Sequence, residues 1–183
     1  MMKADASFTK IRLQERAQDD EWVRACLQRL PFGMLATEWQ GQSFIKPTLF
    51  VYDQERNAIY FHGALEGRMR TNLEANPRVC FCVAEMGRLL PAKTSMEFGV
   101  EYGSAVVFGT VAVLDDEAEA RRALQLLLER YFPHLKAGED YQDINGEELA
   151  ITAVYRIDIE QWSGKAKYAQ PDFPGAFYFE AMS

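Results

Sequence analysis

The sequence has no apolar run approaching the roughly 20 residues that a membrane-crossing helix needs. Its opening, Met1-Met2-Lys3-Ala4-Asp5-Ala6, has no apolar signal core and carries an acid early, so a cytoplasmic location is expected. There are only three cysteines and two histidines, and no CxxC pair, which leaves too few soft ligands for a metal site. Cys80 and Cys82 flank Phe81 in a strand-like run, and same-face neighbours on one strand do not readily close a disulfide. Cys26 falls on the apolar stripe of an expected helix, and all three cysteines read as small buried hydrophobes. Basic residues are also in deficit. Lys and Arg number 20 against 27 Asp and Glu, a net charge of -7, which argues against non-specific nucleic-acid binding. No GxSxG, GxxxxGK[ST] or GxGxxG pattern occurs, and no catalytic carboxylate pair stands out.

What remains is an ordinary globular composition: 183 residues, 48% hydrophobic and 26% charged. That length fits one domain, 1–183, with an irregular N-terminal arm at 1–18 and a C-terminal tail at 166–183. Asp19 and Asp20 can cap a helix whose apolar positions are Trp22, Val23, Cys26, Leu27 and Leu30; Pro31 stops it. The period then changes. Strands are expected at 32–37 and 43–52 around a Gln40-Gly41 turn, then at 58–62 and 79–84. A short helix carrying Met69 and Leu73 lies between the last two and ends at Asn76-Pro77. Residues 86–101 read as a loop and 104–114 as a long strand. Asp116 and Glu119 have capping-box spacing ahead of a helix bearing Ala120, Ala123, Leu124, Leu127 and Leu128. A polar excursion at 133–147, a strand at 150–159 and an aromatic tail complete the chain. The first four strands form two antiparallel pairs with one short helix between them. This is not the alternation of a doubly wound parallel sheet, and an antiparallel barrel with peripheral helices fits better.

The strongest local signal is the junction 60–73. A strand ends at His62, small residues follow, and a helix opens on Gly67-Arg68. A helix start offers unpaired N–H groups and partial positive charge, glycine lets an anion approach, and arginine offers a planar fork. Two readings stand: a phosphate cradle, or an ordinary connection with a solvated arginine. His62, beside it, could hold or release a proton near neutrality, or serve only structure.

Four stretches carry a resemblance. They are Gly33-Met34-Leu35-Ala36-Thr37 with Ile45-Lys46-Pro47-Thr48; Ile59-Tyr60-Phe61-His62-Gly63-Ala64 with Glu66-Gly67-Arg68 and Asn76-Pro77-Arg78-Val79-Cys80-Phe81; Tyr102-Gly103-Ser104-Ala105-Val106-Val107-Phe108-Gly109; and Trp162-Ser163-Gly164-Lys165. In this order the chain resembles the flavin mononucleotide (FMN)-binding split-barrel proteins, the superfamily of pyridoxamine 5'-phosphate oxidase, and within it the nitroimidazole reductase branch.

The resemblance implies a mainly β fold, a six-stranded antiparallel split barrel with peripheral α-helices. It also implies a homodimer with FMN at sites between the subunits. His62, Gly63, Ala64, Gly67 and Arg68 would face the flavin and its phosphate. Pro47, Thr48 and Leu49 would run beside the isoalloxazine ring, Tyr102 and Ser104 would line it, and Trp162 and Lys165 would reach it from either subunit. His62 is the implied catalytic residue. The implied activity is an oxidoreductase passing electrons from a reduced nicotinamide donor to a small acceptor such as a nitro-aromatic or quinone. The alternatives are a flavin-binding protein without turnover, for storage, sensing or electron relay, and a relative that binds haem or a deazaflavin. Two departures stand out. Met69 replaces a lysine common in relatives, leaving Arg70 or a partner residue to supply the charge. The ending Phe179-Glu180-Ala181-Met182-Ser183 lacks the basic terminus used in vitamin B6 oxidation. The loop 86–101 and the tail would shape the substrate pocket.

Overall fold

The computed structural model describes residues 8–180; the first seven residues of the expected arm and the last three of the tail lie outside them. In chain order the elements are β1 (Ala17–Gln18), α1 (Asp20–Arg29), β2 (Gly33–Trp39), β3 (Gln42–Thr48), β4 (Val51–Asp53), β5 (Ala58–Gly63), α2 (Arg68–Ala75), β6 (Arg78–Leu90), β7 (Gly99–Val113), α3 (Glu117–Tyr131), α4 (Gly146–Ala150) and β8 (Ala153–Lys167). The strands form one antiparallel sheet in the order β3-β2-β6-β7-β8-β5-β4, with β1 added on β8. The sheet curls around a core but does not close: β3 and β4, consecutive in the chain, end the two walls unpaired with each other. This is the expected mainly β split barrel. No helix among the described residues is long and apolar enough to cross a membrane.

The interior explains the pattern. Alternate residues Leu35, Ile59, Phe61, Phe81, Val83, Val107, Tyr155 and Ile157 point inward and are nearly or fully buried. Phe61 stacks on Tyr155 with centroids 4.9 Å apart, and Phe50 meets Phe81 edge-on at 4.9 Å. Each such ring, fully removed from water, stabilises the fold by about 2–3 kcal/mol. The stripe of α1, Val23, Cys26 and Leu27, plugs one side. Its approach requires Gly164, where a β-carbon would meet Val23 Cγ2 at 2.8 Å and Trp22 Cε3 at 3.0 Å. A second cluster joins Val51, Ala58, Tyr60 and Val154, on the outer side of β4, β5 and β8, to Ala120, Ala123 and Leu127 of α3.

Several expectations need correction. The expected strand 43–52 breaks at Leu49 and Phe50, so β3 pairs with β2 while β4 pairs with β5. Consequently the strand at 58–63 joins β4 and β8, not the strand that follows it. The expected loop 86–101 is largely strand: β6 runs on to Leu90 past an irregularity between Met86 and Leu89, and β7 begins at Gly99. The hydrophobic pattern failed there because the inward positions hold an ion pair. Arg88 and Glu101 bond at 2.7 Å, and Arg88 also donates to the carbonyls of Gln170 and Pro171 at 3.0 and 2.8 Å. The strand expected at 150–159 starts later, because Asn145 and Glu148 form a capping box that opens α4, and it runs on to Lys167. Cys80 and Cys82 are half-buried on the outer face of β6, not in the core; only Cys26 is buried, and burial raises its thiol to about 11.

Candidate functional site

Among the described residues, three of the four α-helices begin with an acidic or amide cap and acids in the first turn: Asp19 for α1, Asp116 for α3 and Asn145 for α4. The start of α2 has neither. Its cap is Gly67, no side chain accepts from its first amides, and its first turn carries no acid. Gly67 has φ 123°, a conformation that favours glycine. A β-carbon there would meet nothing within 4 Å, so the helix start opens onto free space. Arg68 follows with no ion pair among the described residues; its guanidinium lies 5.6 Å over the ring of Phe44 on β3.

A second cation reaches this end of α2 from the strand. Lys46 lies two residues beyond Phe44, on the same side of β3. A β-carbon on Gly63 would lie 3.2 Å from Lys46 Nζ and 3.1 Å from Met69 Cε. Lys46 also lacks a carboxylate partner among the described residues, and burial holds its ammonium below 10.5. Met69 turns into the core, 7% exposed. Lys46 therefore supplies, from β3, a charge beside the position where Met69 interrupts the resemblance. Arg70 is not free to do so: it pairs with Glu74 at 2.5 Å. No sequence signal singled out Lys46, because a lone lysine on a strand normally snorkels to solvent.

His62 sits at the end of β5, on the α3 side of that strand. Partial burial, then the charge of Lys46, hold its imidazole below the ordinary 6.5, so it is neutral at pH 7. It borders an apolar cavity of about 310 Å³ walled by Leu49, Leu124, Leu127, Leu128 and Ile151, among others. Tyr131, also on the wall, is occupied: its one hydroxyl proton lies within reach of the carbonyl oxygens of Pro31 and Phe50, and its oxygen accepts from the Phe50 amide. Pro47 is exposed on the outer side of β3, and Thr48 is buried with its hydroxyl donating to the Leu49 carbonyl at 3.0 Å. Ala64 follows the strand end, exposed, and accepts from the Tyr155 hydroxyl at 3.4 Å.

The remaining expected residues are divided between two faces of the sheet. Tyr102, Ser104 and Lys165 share the outer face of β7 and β8, with Ser104 opposite Lys165 in register. Lys165 Nζ lies 5.5 Å over the Tyr102 ring, and Arg16 donates to the phenol oxygen at 3.5 Å. Burial pushes that phenol up, but Arg16 and Lys165 outweigh it and hold it below 10. Trp162 faces the other way. Its indole N–H donates to Asp20 at 2.8 Å, Arg24 lies 5.1 Å over its ring, and Tyr52 meets it edge-on at 6.2 Å. Within the chain, then, Lys46 lies against Gly63 and acts on His62, Leu49 shares the His62 cavity, and Gly67 and Arg68 open α2 beside Phe44, while Tyr102, Ser104 and Lys165 stand apart and Trp162 braces α1.

The sequence profile of the pyridoxamine 5'-phosphate oxidase family matches residues 19–166, and the chain belongs to that family. No curated protein matches it. Among solved structures, the chain is similar to the flavocytochrome Anf3 of Azotobacter vinelandii: TM-score 0.75 and 21% identity over 95% of this chain and 85% of that one. The FAD and haem binding protein of Mycobacterium smegmatis gives TM-score 0.75 and 24% identity over 86% of this chain and 76% of that one. A putative 5-nitroimidazole antibiotic resistance protein of Bacteroides thetaiotaomicron gives TM-score 0.66 and 20% identity over 81% and 84%. At these identities the likeness is one of fold.

Proposed function

We propose that this protein is a flavin-dependent oxidoreductase that binds the FMN unit at the start of α2. The observation that carries this reading is the pair of cations without counter-ions, Lys46 and Arg68, gathered beside the uncapped helix start in a chain of net charge -7. Lys46 is partly desolvated without a counter-ion, which is costly, and a phosphate between it and the exposed Arg68 supplies the missing neutralisation together with acceptors for the free N–H groups. The flavin-binding and FAD-binding names of fold relatives point the same way. When bound, the flavin supplies reversible two-electron transfer.

The chain's own residues then have distinct tasks. Arg68 and Lys46 hold the phosphate, and Gly67 leaves the backbone approachable. The strand end at Pro47, Thr48 and Leu49 would run beside the ring and orient it. The leucines of α3 would give the bound ring an apolar wall beside His62, and His62, neutral at pH 7, would take up a proton and, once protonated, return it. The electron donor is a reduced nicotinamide nucleotide and the acceptor a small nitro-aromatic or quinone.

The working form is a homodimer. Met34, Ile45, Pro47, Cys82, Val106 and Phe108 form adjoining rows on the outer sheet face, and several are exposed. A second copy related by a two-fold axis would cover that apolar face with its own equivalent. Tyr102, Ser104 and Lys165, on the same face, would reach the site from across that seam.

The test begins with the visible spectrum of the purified chain and mass identification of what denaturation releases. FMN titration of the flavin-free protein should then saturate, and Arg68→Ala should weaken it about tenfold or more, the cost of one charged hydrogen bond. A colourless protein that takes up no added flavin ends the proposal. For His62→Ala, single-turnover reoxidation of the reduced flavin by an acceptor should slow about tenfold and lose its pH dependence below 6.5; an unchanged profile from about pH 5 to 8 removes the proton role.

A further inference from the structure

The two cations at α2 differ in what they can do besides hold an anion. A guanidinium keeps its charge and is no nucleophile; an amine freed of its proton is a good one. Lys46 has surroundings that favour the free amine. It is half-buried on β3, and no carboxylate pairs with it among the described residues. Burial penalises its charged form and holds the ammonium below the ordinary 10.5. A β-carbon on Gly63 would come within 3.2 Å of its Nζ, so the glycine is what leaves that nitrogen approachable. Other lysines are placed differently. Lys93 is exposed, Lys136 pairs with Glu139 at 3.5 Å, and Lys165 lies over the Tyr102 ring.

We propose that Lys46 is an acylation site for acyl phosphates, and that its acylation closes the flavin site. The inference rests on the reading of the α2 start as a phosphate site. A phosphate held by Arg68 and the uncapped amides brings whatever is bonded to it to the end of α2 that Lys46 reaches. In an acyl phosphate the reactive carbonyl is a single oxygen away from phosphorus, so docking the phosphate also positions the carbonyl. In a coenzyme A thioester the phosphates are far from the carbonyl, and the same docking would not. The step needs no oxidant or reductant. The free amine attacks the carbonyl carbon, an N–C bond forms and the C–O bond to the phosphate breaks. The bonding pair leaves on the phosphate oxygen, the amine proton passes to it, and hydrogen phosphate departs. Arg68 and the helix amides stabilise that leaving anion. The amide left on Lys46 is uncharged, so Arg68 alone remains to hold a flavin phosphate. A bound flavin in turn covers Lys46, so the two reactions exclude each other.

The experiment incubates the flavin-free chain with acetyl phosphate and follows each lysine by peptide mass spectrometry. Lys46 should acetylate at least about tenfold faster than Lys93 or Lys136, from docking and a freer amine together. FMN or inorganic phosphate should suppress the reaction at Lys46 alone, and Arg68→Ala should remove most of the margin. With p-nitrophenyl acetate, an acyl donor that has no phosphate, Arg68→Ala should leave the Lys46 rate unchanged. The acetylated chain should bind FMN about tenfold or more weakly, the loss expected for one charged hydrogen bond. Lys46→Arg, which keeps the charge without the nucleophile, should bind FMN and gain no acetyl group at that position. Equal rates at all lysines, a margin that survives Arg68→Ala, or FMN affinity untouched by acetylation overturns the proposal and leaves the flavin site standing. Protection by inorganic phosphate in a chain that binds no FMN supports acylation and overturns the flavin reading beneath it.

Discussion

The first turns of α2 and α3 meet the same electrostatic problem in opposite ways. Both helices present unpaired N–H groups and partial positive charge. At α3 the protein solves this internally. Asp116 accepts from the Glu119 amide at 2.7 Å, and Glu117 and Glu119 lie in the first turn. The Glu119 carboxylate then collects Arg56 at 2.6 Å, the Tyr60 hydroxyl at 2.9 Å and Arg156 at 3.0 Å. Next to it, Arg122 pairs with Asp53 at 2.6 Å. At α2 no side chain caps the helix and no acid lies in its first turn, and two cations have been added instead. A saturated helix start fastens a helix to a sheet. An unsaturated one, with cations and open space before it, is completed by something from outside the chain.

The largest effect expected from this contrast is on binding. Removing both cations, Lys46→Ala with Arg68→Ala, should lower flavin affinity at least a hundredfold, about 3 kcal/mol, since each charged hydrogen bond is worth about 1.5–3 kcal/mol. The flavin-free protein should melt no lower than before, because Lys46 is desolvated without a partner. A large loss of stability instead would make α2 a second structural anchor and erase the distinction. The next effect is at α3. Glu119→Ala removes the acceptor shared by Tyr60, Arg56 and Arg156, of which Arg156 keeps Asp158 at 2.7 Å, and should cost about 2 kcal/mol in urea unfolding, with flavin affinity unmoved.

Acid separates the two helices further. Burial pushes the Glu119 and Asp53 carboxyls up, but the hydrogen bonds from Arg156 and Tyr60 to the first, and from Arg122 to the second, outweigh it. They hold both below their ordinary values of 4.5 and 3.8. Their contribution to stability is complete above those ordinary values and is lost as pH falls through the depressed ones. Amide protection at the start of α3 should therefore fall on acidification below about 4.5, while the start of α2, whose first amides no carboxylate caps, should keep its own. The smallest effect is at the rim. Glu55 is 89% exposed and 3.8 Å from Arg122. Its replacement by alanine should change the unfolding free energy by less than about 0.5 kcal/mol.

How much of this could be read beforehand differs by residue. Asp116 and Glu119 were legible as a helix start because capping spacing is local, yet only half of the box forms: Glu119 turns away from the cap to meet Arg56, Tyr60 and Arg156, which lie 37 to 63 residues away in the chain. The Gln40-Gly41 turn and the Gly67-Arg68 junction were legible for the same local reason. The ion pair of Arg88 with Glu101 was not: inward charges break the apolar alternation that marks a strand, and their pairing is visible only once β6 and β7 are in register. Trp162 and Lys165 came from one short motif, but a strand sends alternate residues to opposite faces, so Trp162 went to α1 and Lys165 to the outer sheet with Tyr102. Cys80 and Cys82 share that outer face, which no periodicity could label as uncovered.

The sequence by itself determined the alternating strands, the turns, the capped helices and the glycine–arginine opening of α2, because each depends on chemistry within a few residues. Tertiary structure alone decided which charges would be neutralised. Lys46 became part of the candidate site only when α2 folded against β2, with Arg68 over Phe44 of β3, and no acid came with it. Charge compensation is a property of the finished arrangement in space, since Coulombic pairing depends on distance and burial and not on position along the chain.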